Sequence, residues 1–193
     1  MNKIINEIKE YALNNNVPIM MDEASDKIIE IIKENNFVNV LELGTAIGYT
    51  AIKLASNIKN INITSIERDE NRYNIAFSNV KKANLSNIKL IFDDIYNVSF
   101  DNKFDLIIID AAKAQNKNFF EKFKNNLSEN GIIIIDNLSF HGFVGKSKEI
   151  KSKNLRQLVG KIEKFINFLN ENKEFNIEFF EIGDGIAICK KKK

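Results

Sequence analysis

The sequence predicts a doubly wound α/β fold, with a seven-stranded, mostly parallel sheet, helices on both faces and an antiparallel hairpin at the C-terminal end. Short apolar runs alternate with amphipathic segments along the chain. Two of the runs, residues 106–109 and 132–135, are apolar at every position, which is typical of strands covered on both faces. Only residues 183–185 separate the last two runs, and so short a connection requires antiparallel strands.

Strands and helices alternate along the chain, in the order expected of such a sheet. Helical spacing of apolar residues predicts helices at residues 4–14, 22–35, 49–57, 69–83, 116–127 and 154–172. Apolar runs predict strands at residues 38–43, 61–66, 88–92, 104–109, 131–136, 177–182 and 186–190. Strand is followed by helix through most of this series, which is the order of a doubly wound sheet with a hairpin at its end.

The composition indicates one globular domain over residues 1–193, with an N-terminal helical cover at 1–35 and a core at 36–193. No Pro-, Gly- or Ser-rich linker divides the chain, and 44% of its residues are hydrophobic against 28% charged. The single cysteine, Cys189, excludes a disulfide framework and a multi-cysteine zinc site. No signal peptide and no apolar run of about 20 residues is found, so we expect a cytoplasmic protein without a membrane segment.

A glycine-containing turn follows the first predicted strand, at residues 42–48 (ELGTAIG). Gly44 and Gly48 allow positive φ and a close approach of a ligand to the backbone, and together with Glu42, which directly precedes the turn, they are predicted to bind a cofactor. The G-x-x-x-G spacing differs from the G-x-G-x-x-G fingerprint of dinucleotide-binding proteins. This difference argues against a nicotinamide oxidoreductase, although an ordinary strand-to-helix turn could carry the same glycines.

Acidic residues end the second and third predicted strands. Glu67, 23 residues beyond Gly44, can accept hydrogen bonds from both hydroxyls of a ribose. Asp93 and Asp94 follow the third strand, where Asp94 suits the exocyclic amine of adenine and Ile95 can flank the ring. Groups suited to methionine, ribose and adenine thus end three consecutive strands, which predicts S-adenosylmethionine as the cofactor. A helix start at Glu67 and a solvated helix cap at either aspartate are the alternatives.

Three oxygen ligands end the fourth and fifth predicted strands: Asp110 after one, Asp136 and Asn137 after the other. Neighbouring parallel strands lie about 4.8 Å apart, so these side chains can reach one ion. A donor set of oxygen alone suits Mg²⁺ or Mn²⁺ rather than zinc. The alternatives are a turn at Asp136 and Asn137 and a helix cap at Asp110.

Lys113 lies three residues beyond Asp110 and can reach a hydroxyl bound at the same metal. Methyl transfer from a sulfonium requires an acceptor oxygen that is at least partly ionised, and a metal lowers the pKa of a bound hydroxyl. A neutral Lys113 amine is therefore the predicted general base. A solvated lysine at a helix start is the alternative. His141, the one histidine of the sequence, is expected to line the site from a loop.

Through these residues the chain resembles the cation-dependent O-methyltransferases, which include catechol and caffeoyl-CoA methyltransferases. The resemblance covers nearly the whole chain, from residues 17–20 (VPIM) to residues 183–185 (GDG). It implies the Rossmann-like class I methyltransferase fold, with Asp110, Asp136 and Asn137 as metal ligands and Lys113 and Asp110 as catalytic residues. The positions that match the cofactor-lining residues of the family are Met20, Thr50, Glu67, Asp94, Ile95 and Asp110.

Within that family the chain is most similar to bacterial tRNA 5-hydroxyuridine methyltransferases, on residues 44–49 (GTAIGY), 109–113 (IDAAK), 156–162 (RQLVGKI) and 183–188 (GDGIAI). The likeness implies methylation of 5-hydroxyuridine at the wobble position, with the tRNA anticodon stem-loop as partner. The 5-hydroxyl and 4-carbonyl oxygens of that base are vicinal and can chelate Mg²⁺ as a catechol does. The same residues therefore also suit a small-molecule catechol-type methyltransferase, and a non-catalytic nucleotide-binding module is a third alternative.

Residues 146–164 carry seven basic residues against two acidic ones. The segment follows the predicted metal ligands, so we expect it to border the pocket and to hold the phosphates of a stem-loop while the target base enters. The residues predicted to contact RNA are Lys146, Arg156 and Lys161. A solvated helix in a lysine-rich sequence is the alternative, and the sequence leaves a homodimer open.

Overall fold

The computed structural model describes residues 2–192, which form a seven-stranded sheet with helices on both faces. The α-helices are α1 (Asn2–Asn14), α2 (Asp22–Asn35), α3 (Tyr49–Asn57), α4 (Glu70–Ala83), α5 (Asn116–Phe123) and α6 (Lys153–Asn170). The strands are β1 (Asn39–Leu43), β2 (Asn62–Glu67), β3 (Ile88–Phe92), β4 (Phe104–Ile109), β5 (Leu127–Ile135), β6 (Phe175–Phe180) and β7 (Ile186–Lys191). Within these residues no helix is long and apolar enough to cross a bilayer.

The strand order is β3-β2-β1-β4-β5-β7-β6, and the predicted fold class is confirmed. Strands β1 to β5 pair in parallel, whereas β7 lies between β5 and β6 and is antiparallel to both. The order reverses between β1 and β4, which are neighbours in the sheet. Ligands of doubly wound sheets bind at such a reversal, beyond the carboxyl ends of the strands.

Most elements lie within two residues of their predicted bounds, and the differences that matter are at α5, β5 and β6. The helix predicted at residues 116–127 ends at Phe123 and is followed by a 3₁₀ turn, so β5 begins earlier than predicted. Strand β6 ends at Phe180 instead of residue 182, because Gly185 N donates to Ile182 O at 3.0 Å and closes a turn there. The connection between β6 and β7 is therefore residues 181–185, longer than the predicted three-residue turn.

Successive residues of the central strands are buried on opposite faces of the sheet. Leu106 and Ile108 of β4 pack with α2 and α3, whereas Ile107 and Ile109 pack with α5 and α6. All four side chains are fully buried. Apolar side chains at every position of β4 thus fill two hydrophobic cores, one on each face, as the uninterrupted run predicts.

The N-terminal segment is tied to α3 through Asp22. Lys9, Tyr49 and Lys53 all donate hydrogen bonds to the Asp22 carboxylate, Lys53 Nζ at 3.1 Å from Oδ1. Burial raises the pKa of Asp22, but these three donors outweigh it and hold the pKa well below its usual range. Residues 18–21, just before Asp22, line a cavity at the carboxyl edge of the sheet. The anchor at Asp22 therefore fixes the wall of that cavity.

Candidate active site

A cavity of about 590 Å³ lies at the carboxyl ends of β1, β2 and β4. This volume is within the range of about 300–1,000 Å³ found for small-molecule sites. The cavity brings together residues from the cofactor, metal and catalytic predictions. The predicted residues that line it are Met20, Gly44, Thr50, Glu67, Asp94, Ile95, Asp110, Lys113, Asn137 and His141.

The turn after β1 is packed against the backbone that follows β4. Gly44 has φ +102°, and its N–H and that of Thr45 each donate to Ile66 O at 3.1 Å. A Cβ on Gly44 would lie 2.3 Å from Asp110 O, so only glycine is compatible with this contact. The glycine turn, where the cofactor is predicted to bind, is therefore in close contact with Asp110, which is predicted to bind the metal.

Glu42 and Gly48 do not line the cavity, which corrects the prediction that they contact the cofactor directly. Glu42 lies beneath the cavity floor and accepts a hydrogen bond from Ser65 Oγ. Burial raises the pKa of Glu42 to about 8 against the opposing Ser65 bond, and the charges of Asp110 and Glu67 add to the increase. Gly48 has φ +86° and begins α3 close to Ala76, so its role is in the turn.

Glu67 is held by backbone donors on both carboxylate oxygens. Ala46 N donates to Oε2 at 2.8 Å, and the N–H groups of Arg68 and Asp69 each donate to Oε1 at 2.9 Å. A carboxylate oxygen can accept more than one hydrogen bond. Three of the four acceptor positions of the carboxylate are thus occupied, which leaves one on Oε2 for a ribose hydroxyl at the cavity surface, in an orientation fixed by the protein.

Asp94 is held in the ionised form by two contacts. Its pKa is lowered by the hydrogen bond from Tyr96 N, 2.9 Å from Oδ1, and by Arg68, whose Nη1 lies 3.1 Å from Oδ2. Arg68 and Tyr96 also line the cavity, and Tyr96 Oη donates to Gln115 Oε1 at 2.6 Å. Neither residue was predicted to lie at the site, although Arg68 directly follows Glu67 and arginine is rare in the chain.

Asp110 and Asp136 are neighbouring carboxylates, of which Asp136 is buried and Asp110 is part-buried at the cavity wall. They follow β4 and β5, whose last residues, Ile109 and Ile135, are in register. Burial raises the pKa of both; the charge of Asp110 further raises that of Asp136, while Lys113, whose Nζ donates to Asp110 Oδ1 at 2.8 Å, opposes the effect on Asp110. Asp136 is 2% exposed and does not line the cavity, so Asp110 and Asn137 are the members of the predicted metal set that do. A buried carboxylate beside a part-buried one is an electrostatic setting in which a bound cation is stabilising.

Asn137 completes the predicted metal set. Its Nδ2 donates to Asp184 Oδ2 at 3.4 Å, which leaves Oδ1 as the donor atom for a cation. Among residues 2–192, no three His, Cys, Asp or Glu side chains are grouped as a metal site. The predicted set consists of two carboxylates and one carboxamide, and an all-oxygen set of this kind fits a hard divalent cation.

The residues predicted to contact RNA lie outside the cavity. Lys146, Arg156 and Lys161 are all exposed, on the loop after β5 and on α6. Helix α6 packs against the 3₁₀ turn Lys113–Gln115 at the cavity wall. Arg156 Nη1 also donates to Ile150 O at 3.2 Å. The basic segment is thus next to the cavity, and Arg156 has a structural contact as well as an exposed charge.

The family of the protein is decided by a family model. The model for O-methyltransferases matches residues 1–192. This chain belongs to the O-methyltransferase family. The predicted family is thereby confirmed at this level, whereas the narrower likeness to tRNA methyltransferases stays a prediction.

Relatives of this O-methyltransferase span most of its length. Caffeoyl-CoA O-methyltransferase from Populus kitakamiensis is 26% identical over 193 residues, which cover 95% of this chain and 82% of the relative. Flavonoid 3',5'-methyltransferase from Vitis vinifera is 27% identical over 173 residues, 83% of this chain and 73% of the relative.

Solved structures of O-methyltransferases also resemble this chain over most of its length. A Staphylococcus aureus protein, provisionally named a caffeoyl-CoA O-methyltransferase, is 37% identical with a TM-score of 0.92, over 97% of this chain and 92% of that one. The Bacillus cereus O-methyltransferase in complex with SAH has a TM-score of 0.82 at 23% identity, over 98% and 91% of the two chains, and shows the shared fold.

Proposed function

We propose that this O-methyltransferase transfers a methyl group from S-adenosylmethionine to a hydroxyl oxygen that has a second oxygen beside it, with the help of a divalent metal. The observation that carries the proposal is the single cavity that Lys113, Asp110 and Asn137 share with Glu67 and Asp94. The first three suit a metal-bound hydroxyl, and the last two suit the ribose and adenine of the cofactor.

The cofactor assignment rests on the donors and acceptors of the cavity wall. Glu67 presents an oriented carboxylate, Asp94 is an ionised acceptor, and Gly44 and Thr45 line the cavity where the methionine end would lie. The Bacillus cereus O-methyltransferase, which shares the fold, was solved with SAH, the form of this cofactor that remains after methyl transfer.

The proposed reaction is an in-line displacement. A metal held by Asp110, Asp136 and Asn137 would lower the pKa of the acceptor hydroxyl and fix its position. Lys113 Nζ, in its neutral form, takes the hydroxyl proton, and Asp110 Oδ1 orients that nitrogen from 2.8 Å. The hydroxyl oxygen forms a bond to the methyl carbon as the carbon–sulfur bond breaks, and the sulfur keeps the electron pair.

For the acceptor we propose 5-hydroxyuridine in a tRNA anticodon loop. Seven basic residues of the segment 146–164 are exposed, and α6 packs beside the Lys113–Gln115 turn. A basic surface beside a cavity suits an RNA whose backbone stays outside while one base enters. A small-molecule catechol-type acceptor is the second candidate, and the caffeoyl-CoA and flavonoid activities in the names of the plant relatives favour it.

One assay separates the two candidates. Purified protein is incubated with labelled S-adenosylmethionine and Mg²⁺, either with tRNA that contains 5-hydroxyuridine or with a catechol and caffeoyl-CoA. We expect the label in 5-methoxyuridine after nuclease digestion of the tRNA. Label in the catechol or in the caffeoyl ester alone would replace the RNA proposal by the second candidate. No label in any acceptor would contradict the methyltransferase proposal itself.

Loss of the basic residues is expected to weaken binding of tRNA specifically. In the triple variant Lys146→Ala, Arg156→Ala, Lys161→Ala, we expect the tRNA affinity to fall about tenfold or more at 0.1 M salt, with a shallower salt dependence. Cofactor affinity should not change, because none of the three residues lines the cavity. Fluorescence anisotropy across a salt series measures both tRNA effects.

A matched control removes three exposed lysines on or beside helices of the opposite sheet face, Lys33, Lys59 and Lys81. This control changes the net charge equally, so a purely nonspecific electrostatic effect would weaken both triple variants alike. Equal tRNA affinities of the two variants would therefore remove the segment 146–164 from the interface. Melting temperatures of both variants account for the lost Arg156 contact to Ile150 O.

A further inference from the structure

We propose that Asp184 is a positioning residue that fixes the metal ligand Asn137 and the aromatic tip of the following loop, and so sets where the acceptor lies. The proposal rests on the metal-assisted function above. Asp184 lies in the connection between β6 and β7, and its side chain lines the cavity at the end that holds Asn137. It is 7% exposed, although it follows a glycine in a turn.

Four hydrogen bonds join this turn to residues 137–141. His141 N donates to Asp184 Oδ1 at 2.6 Å, and Asn137 Nδ2 donates to Oδ2 at 3.4 Å. Between them, Ser139 N donates to Asp184 O at 2.8 Å, and Leu138 N donates to Gly185 O at 2.9 Å. One carboxylate therefore contacts both ends of a five-residue segment whose middle is held by main-chain bonds.

The docking between the two segments is close. A Cβ on Gly185 would lie 2.3 Å from Ser139 Oγ and 2.7 Å from Ser139 N. Gly185 also has φ +80°, so a side chain there would be strained as well as crowded. The turn that carries Asp184 thus has no room to shift relative to the segment after β5.

The segment that Asp184 holds has an unfavourable backbone. Asn137, Phe140 and His141 have φ of 63°, 43° and 56°. These angles lie in the left-handed region, which residues other than glycine rarely adopt. Such a backbone persists only where the surrounding contacts determine it, and it is concentrated at functional sites. The bonds from Asp184 to Asn137 and His141 contact two of these three residues directly.

Two consequences follow for the chemistry of the cavity. Because Asp184 takes the amide nitrogen of Asn137, the carboxamide oxygen is the side-chain atom left to ligate a cation. Because Asp184 also holds His141 N, Phe140 and His141 are fixed at the acceptor end of the cavity, with ring centroids 5.4 Å apart. A planar acceptor ring can pack against such an aromatic pair while its oxygens face the metal.

Asp184→Asn tests the proposal with little change in shape. A carboxamide can accept from His141 N or from Asn137 Nδ2, but it cannot accept from both through separate oxygens. We expect the Mn²⁺ affinity, titrated by electron paramagnetic resonance, to fall about 10- to 100-fold, as when a group that orients a metal ligand is removed. The affinity for S-adenosylmethionine should stay within about twofold, because the cofactor residues Glu67 and Asp94 keep their contacts.

A second readout does not depend on metal or turnover. Hydrogen–deuterium exchange of the peptide that covers residues 137–145 should become faster in Asp184→Asn, while the peptide around Glu67 is unchanged. Asp101→Asn, an exposed surface substitution of the same chemistry, is the control and should change neither readout. The KM for the acceptor is expected to rise more than kcat falls, because the aromatic tip loses its fixed position.

The outcomes distinguish this proposal from the proposed function. Equal Mn²⁺ affinity and equal exchange rates in the wild-type and Asp184→Asn proteins would overturn the positioning role alone. Wild-type protein that binds no Mn²⁺ would overturn the metal-assisted function, and the role of Asp184 with it. Weaker Mn²⁺ binding together with faster exchange only in residues 137–145 supports both.

Discussion

Asp136→Asn is expected to lower kcat/KM for methyl transfer by about 100-fold or more, and to raise the melting temperature of the metal-free protein at pH 8. Asparagine keeps the shape of the side chain but removes the negative charge that would hold a divalent cation. Because Asp136 is buried beside Asp110, removing its charge also removes a repulsion within the folded protein.

The gain in stability from Asp136→Asn has a defined pH dependence. Burial and the charge of Asp110 raise the pKa of Asp136 in the folded protein above the ordinary value of 3.8. Between the unfolded and the folded pKa the folded state binds more protons, so the stability of the wild type falls as the pH rises through this window. The Asp136→Asn variant does not lose stability in this window. Its gain in stability over the wild type is therefore absent near pH 3.8 and largest above the pKa of Asp136 in the folded protein.

Thermal melts in excess EDTA from pH 4 to pH 8, together with steady-state kinetics in Mg²⁺, measure both effects of Asp136→Asn. The exposed Asp101→Asn is the control for loss of one surface charge. Full wild-type turnover in excess EDTA would contradict the proposal that a divalent metal assists methyl transfer. A variant that is less stable than the wild type at pH 8 would show that Asp136 stabilises the metal-free fold.

Gly44→Ala is expected to destabilise the protein by about 3 kcal/mol or more and to abolish cofactor binding. The new Cβ would lie 2.3 Å from Asp110 O and 2.9 Å from Asp110 C, and both atoms belong to the backbone at the end of β4. Neither can move without breaking the pairing of β1 with β4, and φ +102° adds strain. For a domain of 193 residues, we expect the melting temperature to fall by roughly 6–12 °C.

The matched control for Gly44→Ala is the same substitution at Gly160. Gly160 lies within α6, and a Cβ built there meets no atom within 4 Å. Alanine is favoured over glycine inside a helix, so Gly160→Ala should raise stability by about 0.5–1 kcal/mol. Opposite signs in calorimetric melts of the two variants would confirm the close contact at Gly44, whereas similar melting temperatures would contradict it.

The fold class and the polar residues around the cavity could be predicted because their causes are local. Uninterrupted apolar runs such as residues 106–109 reflect burial on two faces, and the polar residue that ends each strand is placed by the strand itself. Glu67, Asp94 and Asp110 therefore lie where the sequence puts them, around one cavity. Glu42 was predicted to bind the cofactor because it directly precedes the turn, but its side chain is buried and accepts a hydrogen bond from Ser65 Oγ instead.

The roles of Asp184 and Arg68 could not be predicted because their causes are distant in the chain. Asp184 is 47 residues from Asn137 in sequence, and the two meet only when the hairpin of β6 and β7 docks beside β5. Arg68 meets Asp94 across 26 residues, at the ends of neighbouring strands. In the sequence, Gly183, Asp184 and Gly185 indicate a turn, and nothing local indicates which segment that turn contacts.

The position of β7 has a consequence for the order in which the protein can fold. β7 is made last of the seven strands, yet it lies inside the sheet, between β5 and β6. Until the ribosome has added residues 186–191, β6 has no neighbour in the sheet and β5 has an open edge. Such an edge is prone to pair with other chains. A growing chain therefore completes its sheet and its cavity in one late step, when β7 inserts.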